Sequence, residues 1–322
     1  MGAPGLAAEA SPTHNAAMKY GPIIKEIGRG AKGSRPLDSA TAAAVFGDIL
    51  DRRVPELELG AILIALRIKS ETLAELLGFK QAMDARTARV AVPEGPRCVV
   101  LPTYNGARRQ PNLMPLVALL LAREGVPVLI QGRHDFETRV SPFQLLATLD
   151  LRPAADAEEA SAQLADRRLA CLAVAQLLPG LDALLALRPR LGVRSSGHTM
   201  AKLLDPCPGR SVRVVAVTHP EYLGRMDEFL CADGGRAMLL RGTEGEIYAN
   251  PRRCPELKVY VDGVGRIAVA AEEGGAPPLA GLPDNPSVAD NAALIRAILA
   301  GQQPVPAPVA AQVAALAVLA RG

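Results

Sequence analysis

The sequence predicts an α/β protein in two parts, a small N-terminal helical domain followed by a larger α/β domain with a mainly parallel sheet. Three observations carry this. Between Leu37 and Ala85 the apolar residues recur at helical spacing, in runs separated by short turns. After the turn-rich stretch VAVPEGPR the period changes, and strand-like runs alternate with helical ones. At 322 residues with 49% hydrophobic content, the chain buries enough core for two domains rather than one.

The elements follow in order. Asp38, with Ser39 and Thr41 close by, caps the helix ATAAAVFGDILDRR; Pro55 and Glu56 open ELELGAILIALRIK; Ser70 with Glu71 opens TLAELLGFKQAMDAR. The middle helix is apolar around much of its circumference, through Leu59, Ile62, Leu63, Ala65, Leu66 and Ile68. It is therefore expected to pack on two sides, and a subunit interface is one way to cover the second. CVVLPT, LMPLVALLLAREG and VPVLIQG then make a β-α-β unit. Further strands are expected at LACLAVA, SVRVVAVTH, RAMLLRG and LKVYVDG, and helices at PEYLGRMDEFLCADG and PSVADNAALIRAILAG. A helix near 178–190, in LLPGLDALLALRPRLG, is expected to return to the helical part. EEGGAPPLAGLPDNP reads as an extended surface loop. The expected divisions are a flexible tail over 1–18, the helical domain over 19–92 and the α/β domain over 93–322. In such a sheet, ligands bind near the carboxyl ends of the strands.

Composition excludes several function classes. No apolar run reaches the roughly 18 residues of a membrane span, and the first twenty residues lack a basic leader, so a cytoplasmic protein is expected. Five scattered cysteines with no Cys-x-x-Cys spacing argue against a disulfide framework or zinc site. No two of His14, His134, His198 and His219 share ligand spacing. Walker, Gly-x-Gly-x-x-Gly and His-Glu-x-x-His motifs are absent. No catalytic residue, metal ligand or cofactor is assigned. A net charge of +3 is too small to identify an anionic partner, so the distribution of charge must do so.

That distribution is uneven. VVLPTYNGARRQPNL, from Val99 to Leu113, reads as strand, glycine turn and helix start, an arrangement that offers N–H groups to a phosphate, and Arg108 and Arg109 stand at the helix start. Lys25, Arg29, Lys32 and Arg35 crowd a glycine-rich segment that can order on a polyanion. Arg188, Arg190, Arg194 and Lys202 follow one another with no acid until Asp205. Tyr104 and Tyr222 read as packing or phosphate-donor groups, and Glu244 and Glu246 as a solvated loop. At 3% aromatic content with no tryptophan, no platform for stacking bases is evident.

The order of segments from Met18 onward resembles that of the anthranilate phosphoribosyltransferases and their glycosyltransferase family 3 relatives. LELGAILIALRIKSETLAELLGFKQAM is similar to that family's second and third helices, and LGVRSSGHTMAKLLDP to its LGVRTxFNxLGPLxNP frame, matching at Gly192, Val193, Arg194 and Pro206. The resemblance implies the nucleoside phosphorylase/phosphoribosyltransferase-like fold and a vestigial phosphate and substrate site at Asn105, Gly106, Asn112, Gly132, Arg194 and His198. It also marks departures. The family's Gly-Thr-Gly-Gly-Asp loop is here Pro102-Thr103-Tyr104-Asn105-Gly106. Met114 and Pro115 replace hydroxyl residues that help hold magnesium and phosphate, Lys-His-Gly-Asn becomes Ile130-Gln131-Gly132-Arg133, and the Asp-Glu magnesium pair becomes Gly245-Glu246. PTYNGARRQ, HPEYLGR and GTEGEIYANPRRC resemble the YbiB-type nucleic-acid-binding branch. That resemblance implies a homodimer built through the helical domain and sequence-tolerant binding of DNA or RNA, mostly by the phosphate backbone. The residues expected to carry it are Lys25, Arg29, Lys32, Arg35, Arg108, Arg109, Arg133, Arg188, Arg190, Arg194 and Lys202. The rivals are an active phosphoribosyl- or glycosyltransferase with an atypical phosphate loop and a dimeric scaffold for another protein.

Overall fold

The structure, a computed structural model, describes residues 18–30 and 32–322; most of the expected tail lies outside them. The helical part comprises α1 (Tyr20–Ile27), α2 (Ser39–Leu50), α3 (Glu56–Lys69) and α4 (Leu73–Asp84). Asp38 caps α2, its carboxylate accepting from the Thr41 N–H at 2.8 Å. α4 starts later than the Ser70-Glu71 signal suggests. Its cap is Thr72, in a capping box with Glu75. Glu75 is fully buried, and its carboxylate also accepts from the Leu37 N–H at 3.0 Å and the Lys69 ammonium at 2.6 Å, fastening the segment before α2 to α4.

The α/β part is one seven-stranded sheet of β1 (Cys98–Thr103), β2 (Val128–Gly132), β3 (Leu169–Ala173), β4 (Ser211–Val217), β5 (Arg236–Arg241), β6 (Leu257–Val261) and β7 (Val264–Val269). The order is β3-β2-β1-β4-β5-β6-β7. The first five strands in that order pair in parallel, and β6 and β7 add an antiparallel edge. The helices are α5 (Met114–Arg123), α6 (Pro142–Thr148), α7 (Ala157–Arg167), α8 (Val174–Leu177), α9 (Pro179–Ala186), α10 (Arg188–Leu191), α11 (Ser196–Met200), α12 (Glu221–Asp233), α13 (Val288–Leu299) and α14 (Ala307–Arg321).

Strand alternation divides the core. Leu129 and Val215 face the cluster that contains Phe46, Leu63 and Phe79 of the helical part. Val128, Ile130, Val214 and Ala216 face α5, α13 and α14 through Leu116, Ile295 and Leu316. α9 returns to the helical part, lying so close to α2 that a Cβ on Gly180 would stand 1.9 Å from the Leu50 carbonyl oxygen. Only glycine fits that crossing. Among the described residues no helix is long and apolar enough to cross a membrane.

Candidate functional site

Strand order reverses at β1, which has β2 on one side and β4 on the other. The crevice beyond the carboxyl ends of these strands is where a sheet of this kind holds a ligand. On the β1 side lies the turn expected to bind a phosphate, and every backbone N–H from Asn105 to Gln110 is already engaged. Asn105 and Gly106 donate to Glu246 Oε1 at 3.0 and 2.8 Å, and the Thr103 hydroxyl donates to Glu246 Oε2 at 2.8 Å. Ala107 donates to the Val140 carbonyl at 3.0 Å. Arg108 donates to Glu244 Oε2 at 3.1 Å, and Arg109 and Gln110 each to Glu244 Oε1 at 2.9 Å. Two carboxylates from one loop thus sit where the turn would hold an anion.

This corrects several expectations. Glu246 is fully buried rather than part of a solvated loop; burial outweighs its donors and raises its pKa. Gly245 lets the loop close, since a Cβ there would stand 2.6 Å from the Asn105 side-chain nitrogen, which donates to the Gly245 carbonyl at 2.8 Å. Arg108 and Arg109 are not at a helix start, because α5 begins only at Met114. Asn112 is buried with its side chain spent inside the fold, donating to the Val140 carbonyl and accepting from the Met114 N–H. Gly132 is set by packing, as a Cβ there would meet the Thr103 carbonyl oxygen at 1.8 Å. Tyr104 is a packing residue whose hydroxyl donates to Gln131 at 2.6 Å. The residues present do not fit the magnesium that the fold family implies. Glu246 has both oxygens committed to donors, and glycine stands in place of its acidic neighbour.

The other wall of the crevice is cationic. Arg194, partly buried, donates to the Asn105 side-chain oxygen. Burial and the nearby guanidiniums of Arg188, Arg139 and Arg67 push its pKa down, with Asp135 opposing. Arg67, at the end of α3, donates to the Arg194 carbonyl at 2.8 Å, and Arg139 to the Gly106 carbonyl at 3.2 Å. The guanidiniums of Arg188 and Arg139 lie 4.3 and 5.3 Å from the centroid of the Phe136 ring. Among the described residues none of these four arginines has a carboxylate within salt-bridge distance. Lys202 lies deeper, donating to the Ala216 carbonyl at 3.0 Å, with burial and Arg194 lowering its pKa to about 8. It belongs to the floor of the cleft rather than its mouth. His198 stands beside it.

Other expected contacts are neutralised or placed elsewhere. Arg133 is paired with both Asp135 and Asp182, and Arg190 with Glu56. Arg29 and Arg35 share Glu26, and none of Lys25, Arg29, Lys32 and Arg35 lines the cleft. Lys25 lies on α1, and the glycines that follow it line a separate apolar groove between α1 and α3. Sequence reasoning missed Arg67 and Arg139. Arg67 is followed by Lys69 and Glu71, and Arg139 follows Asp135 and Glu137, so neither reads as part of a basic cluster and only the fold assembles them.

Residues 21–87 match the helical bundle domain of the glycosyl transferase family. The chain is 42% identical over 300 residues to the uncharacterized protein YbiB of Escherichia coli, covering 92% of this chain and 93% of that one. It is 31% identical over 215 residues to an anthranilate phosphoribosyltransferase of Methylobacterium radiotolerans, covering 66% and 61% of the two chains. Among solved structures, the fold superposes on anthranilate phosphoribosyltransferase from Thermus thermophilus with a TM-score of 0.73 at 23% identity, over 92% of this chain and 87% of that one. The Saccharomyces cerevisiae enzyme in complex with PRPP and Mg gives the same TM-score at 15% identity, over 94% and 89%.

Proposed function

The chain belongs to the family of Escherichia coli YbiB, on the fold of the anthranilate phosphoribosyltransferases, and from that premise we propose that it binds nucleic acid, DNA or RNA, with little sequence preference along the cleft between its two parts. One observation supports this above the others. Arg67, Arg139, Arg188 and Arg194 gather without carboxylate partners next to a phosphate turn that the chain's own Glu244 and Glu246 have closed. A polymer of phosphates satisfies several such cations at once and needs no pocket for a diphosphate. Arg108 and Arg109, exposed on the same turn, extend the contact. Lys202 adds charge from below. The rival transferase reading needs both glutamates to leave the turn before phosphoribosyl pyrophosphate can enter.

Filter binding of duplex DNA at two salt concentrations tests the proposal. Four phosphates neutralised by the gathered arginines give a slope of about −3.6 in log K against log salt, and two more at Arg108 and Arg109 take it to about −5.4. Arg188→Ala with Arg194→Ala reduces its magnitude by about 1.8, whatever the DNA sequence. Arg108→Ala with Arg109→Ala weakens binding uniformly across sequences. Affinity that stays flat with salt, or is absent for single and double strands alike, refutes the proposal. Tight calorimetric binding of phosphoribosyl pyrophosphate with magnesium establishes the rival.

A further inference from the structure

The floor of the cleft narrows into a cavity of about 350 Å³ between α11, the end of β4 and the first turns of α12. A cavity of that volume has no room for a duplex. Part of the wall is apolar, from Val215, Val217 and Met226. At the rim stands Tyr222, 39% exposed, with the Arg225 guanidinium 5.5 Å from the centroid of its ring. Two buried polar atoms of lining residues, Ser195 Oγ and His198 Nε2, have no hydrogen-bond partner. The Ser195 N–H donates to His198 Nδ1 at 3.2 Å, which leaves the imidazole proton on Nε2. Native structures rarely leave such atoms unpaired without a functional reason.

A phosphate backbone alone uses none of these features. An apolar wall, one aromatic face, one neutral donor and one hydroxyl are what the two faces and the polar edge of a base require. We infer that the cavity seats one unpaired base of the bound strand, stacked on Tyr222, with its edge on His198 Nε2 and Ser195 Oγ. The inference rests on the cleft being the nucleic-acid site, and it adds a preference for unpaired strands. Arg67 and Arg194 line the same cavity, together with the carboxylates of Glu71 and Glu221; on this inference the two guanidiniums meet the flanking phosphates. Composition alone hides this platform, because a single well-placed tyrosine supplies it.

Fluorescence anisotropy with labelled oligothymidylate and with a blunt duplex carrying the same number of phosphates, at one salt concentration, tests the inference. The wild type holds the single strand about tenfold more tightly. Tyr222→Ala removes most of that difference, as expected for one lost stacking contact, and leaves duplex affinity within about twofold. Tyr222→Phe keeps the preference and serves as the control for folding. His198→Ala narrows the difference in the same direction. Equal affinity of the wild type for strand and duplex, or a Tyr222→Ala variant that weakens both alike, overturns the inference and leaves the reading of the cleft standing. Absence of salt-dependent binding to either probe overturns both.

Discussion

Removing the Glu246 carboxylate should open the turn to phosphate. The side chain is fully buried and accepts from two backbone N–H groups and one hydroxyl, at 2.8 to 3.0 Å. Glu246→Ala leaves all three donors without a partner, each costing about 1–3 kcal/mol while it stays dry. Entry of water reduces that sum, so a net loss of about 3–5 kcal/mol is expected in urea unfolding. The emptied turn then has the size and polarity of an anion site. Inorganic phosphate should therefore raise the melting temperature of Glu246→Ala by mass action, and by more than it raises that of the wild type. Glu246→Gln keeps an acceptor oxygen for the two N–H groups and turns an amide donor to the Thr103 hydroxyl, which then accepts, so it should fall between the two proteins in stability. If Glu246→Ala is as stable as the wild type, or if phosphate stabilises both equally, the carboxylate does not occupy an anion site and the reasoning fails.

Other consequences can be checked separately. His198 has its pKa lowered to about 4 by burial and by Arg194 and Arg188, against Asp135. Because the folded value lies below the unfolded one, near 6.5, stability is lost as pH falls from about 6.5 through about 4, by up to about 3 kcal/mol. His198→Gln should flatten that part of the profile, and a variant whose stability falls as steeply as the wild type's would contradict the assignment. Gly132→Ala forces a Cβ to within 1.8 Å of the Thr103 carbonyl oxygen and should cost about 3 kcal/mol in chemical denaturation; a cost near zero would mean that the ends of β1 and β2 shift freely. The α3 surface leaves Leu57 83% and Ile68 69% exposed, and the expected homodimer would cover them. Ile68→Asp should convert a dimer to a monomer in sedimentation, and an unchanged mass would place self-association elsewhere.

How much of this was legible in the sequence depended on how local each signal is. The strands from CVVLPT to LKVYVDG stand out as apolar runs bounded by turn residues, and α2, α3 and α4 as periodic runs with caps. β7 was missed although Asp262-Gly263 between apolar runs is a strong hairpin signal, and the two residues do take positive φ. α14 was missed because APVAAQVAALAVLAR offers almost no polar contrast along its length. The start of α5 was set too early, since a turn whose N–H groups are held by distant carboxylates looks like a helix start in sequence. Glu246 lies 140 residues from Gly106, and no spacing rule connects them. Arginines were legible as clusters only where neighbours in sequence made them so. Arg190 belongs to such a cluster yet is paired with an acid, and Arg133, which stands outside the clusters, is paired with two, while Arg67 and Arg139 reach the cleft.

α3 belongs to two surfaces at once. Its last turn anchors the Arg194 carbonyl through Arg67, while the Ser196 hydroxyl reaches Glu71 just beyond the helix. The adjoining flank of the helix carries the uncovered leucine and isoleucines. A rigid rod gripped at one end and loaded along its side passes on any tilt it receives. A load against that flank therefore bears on where Arg67 stands relative to Arg194.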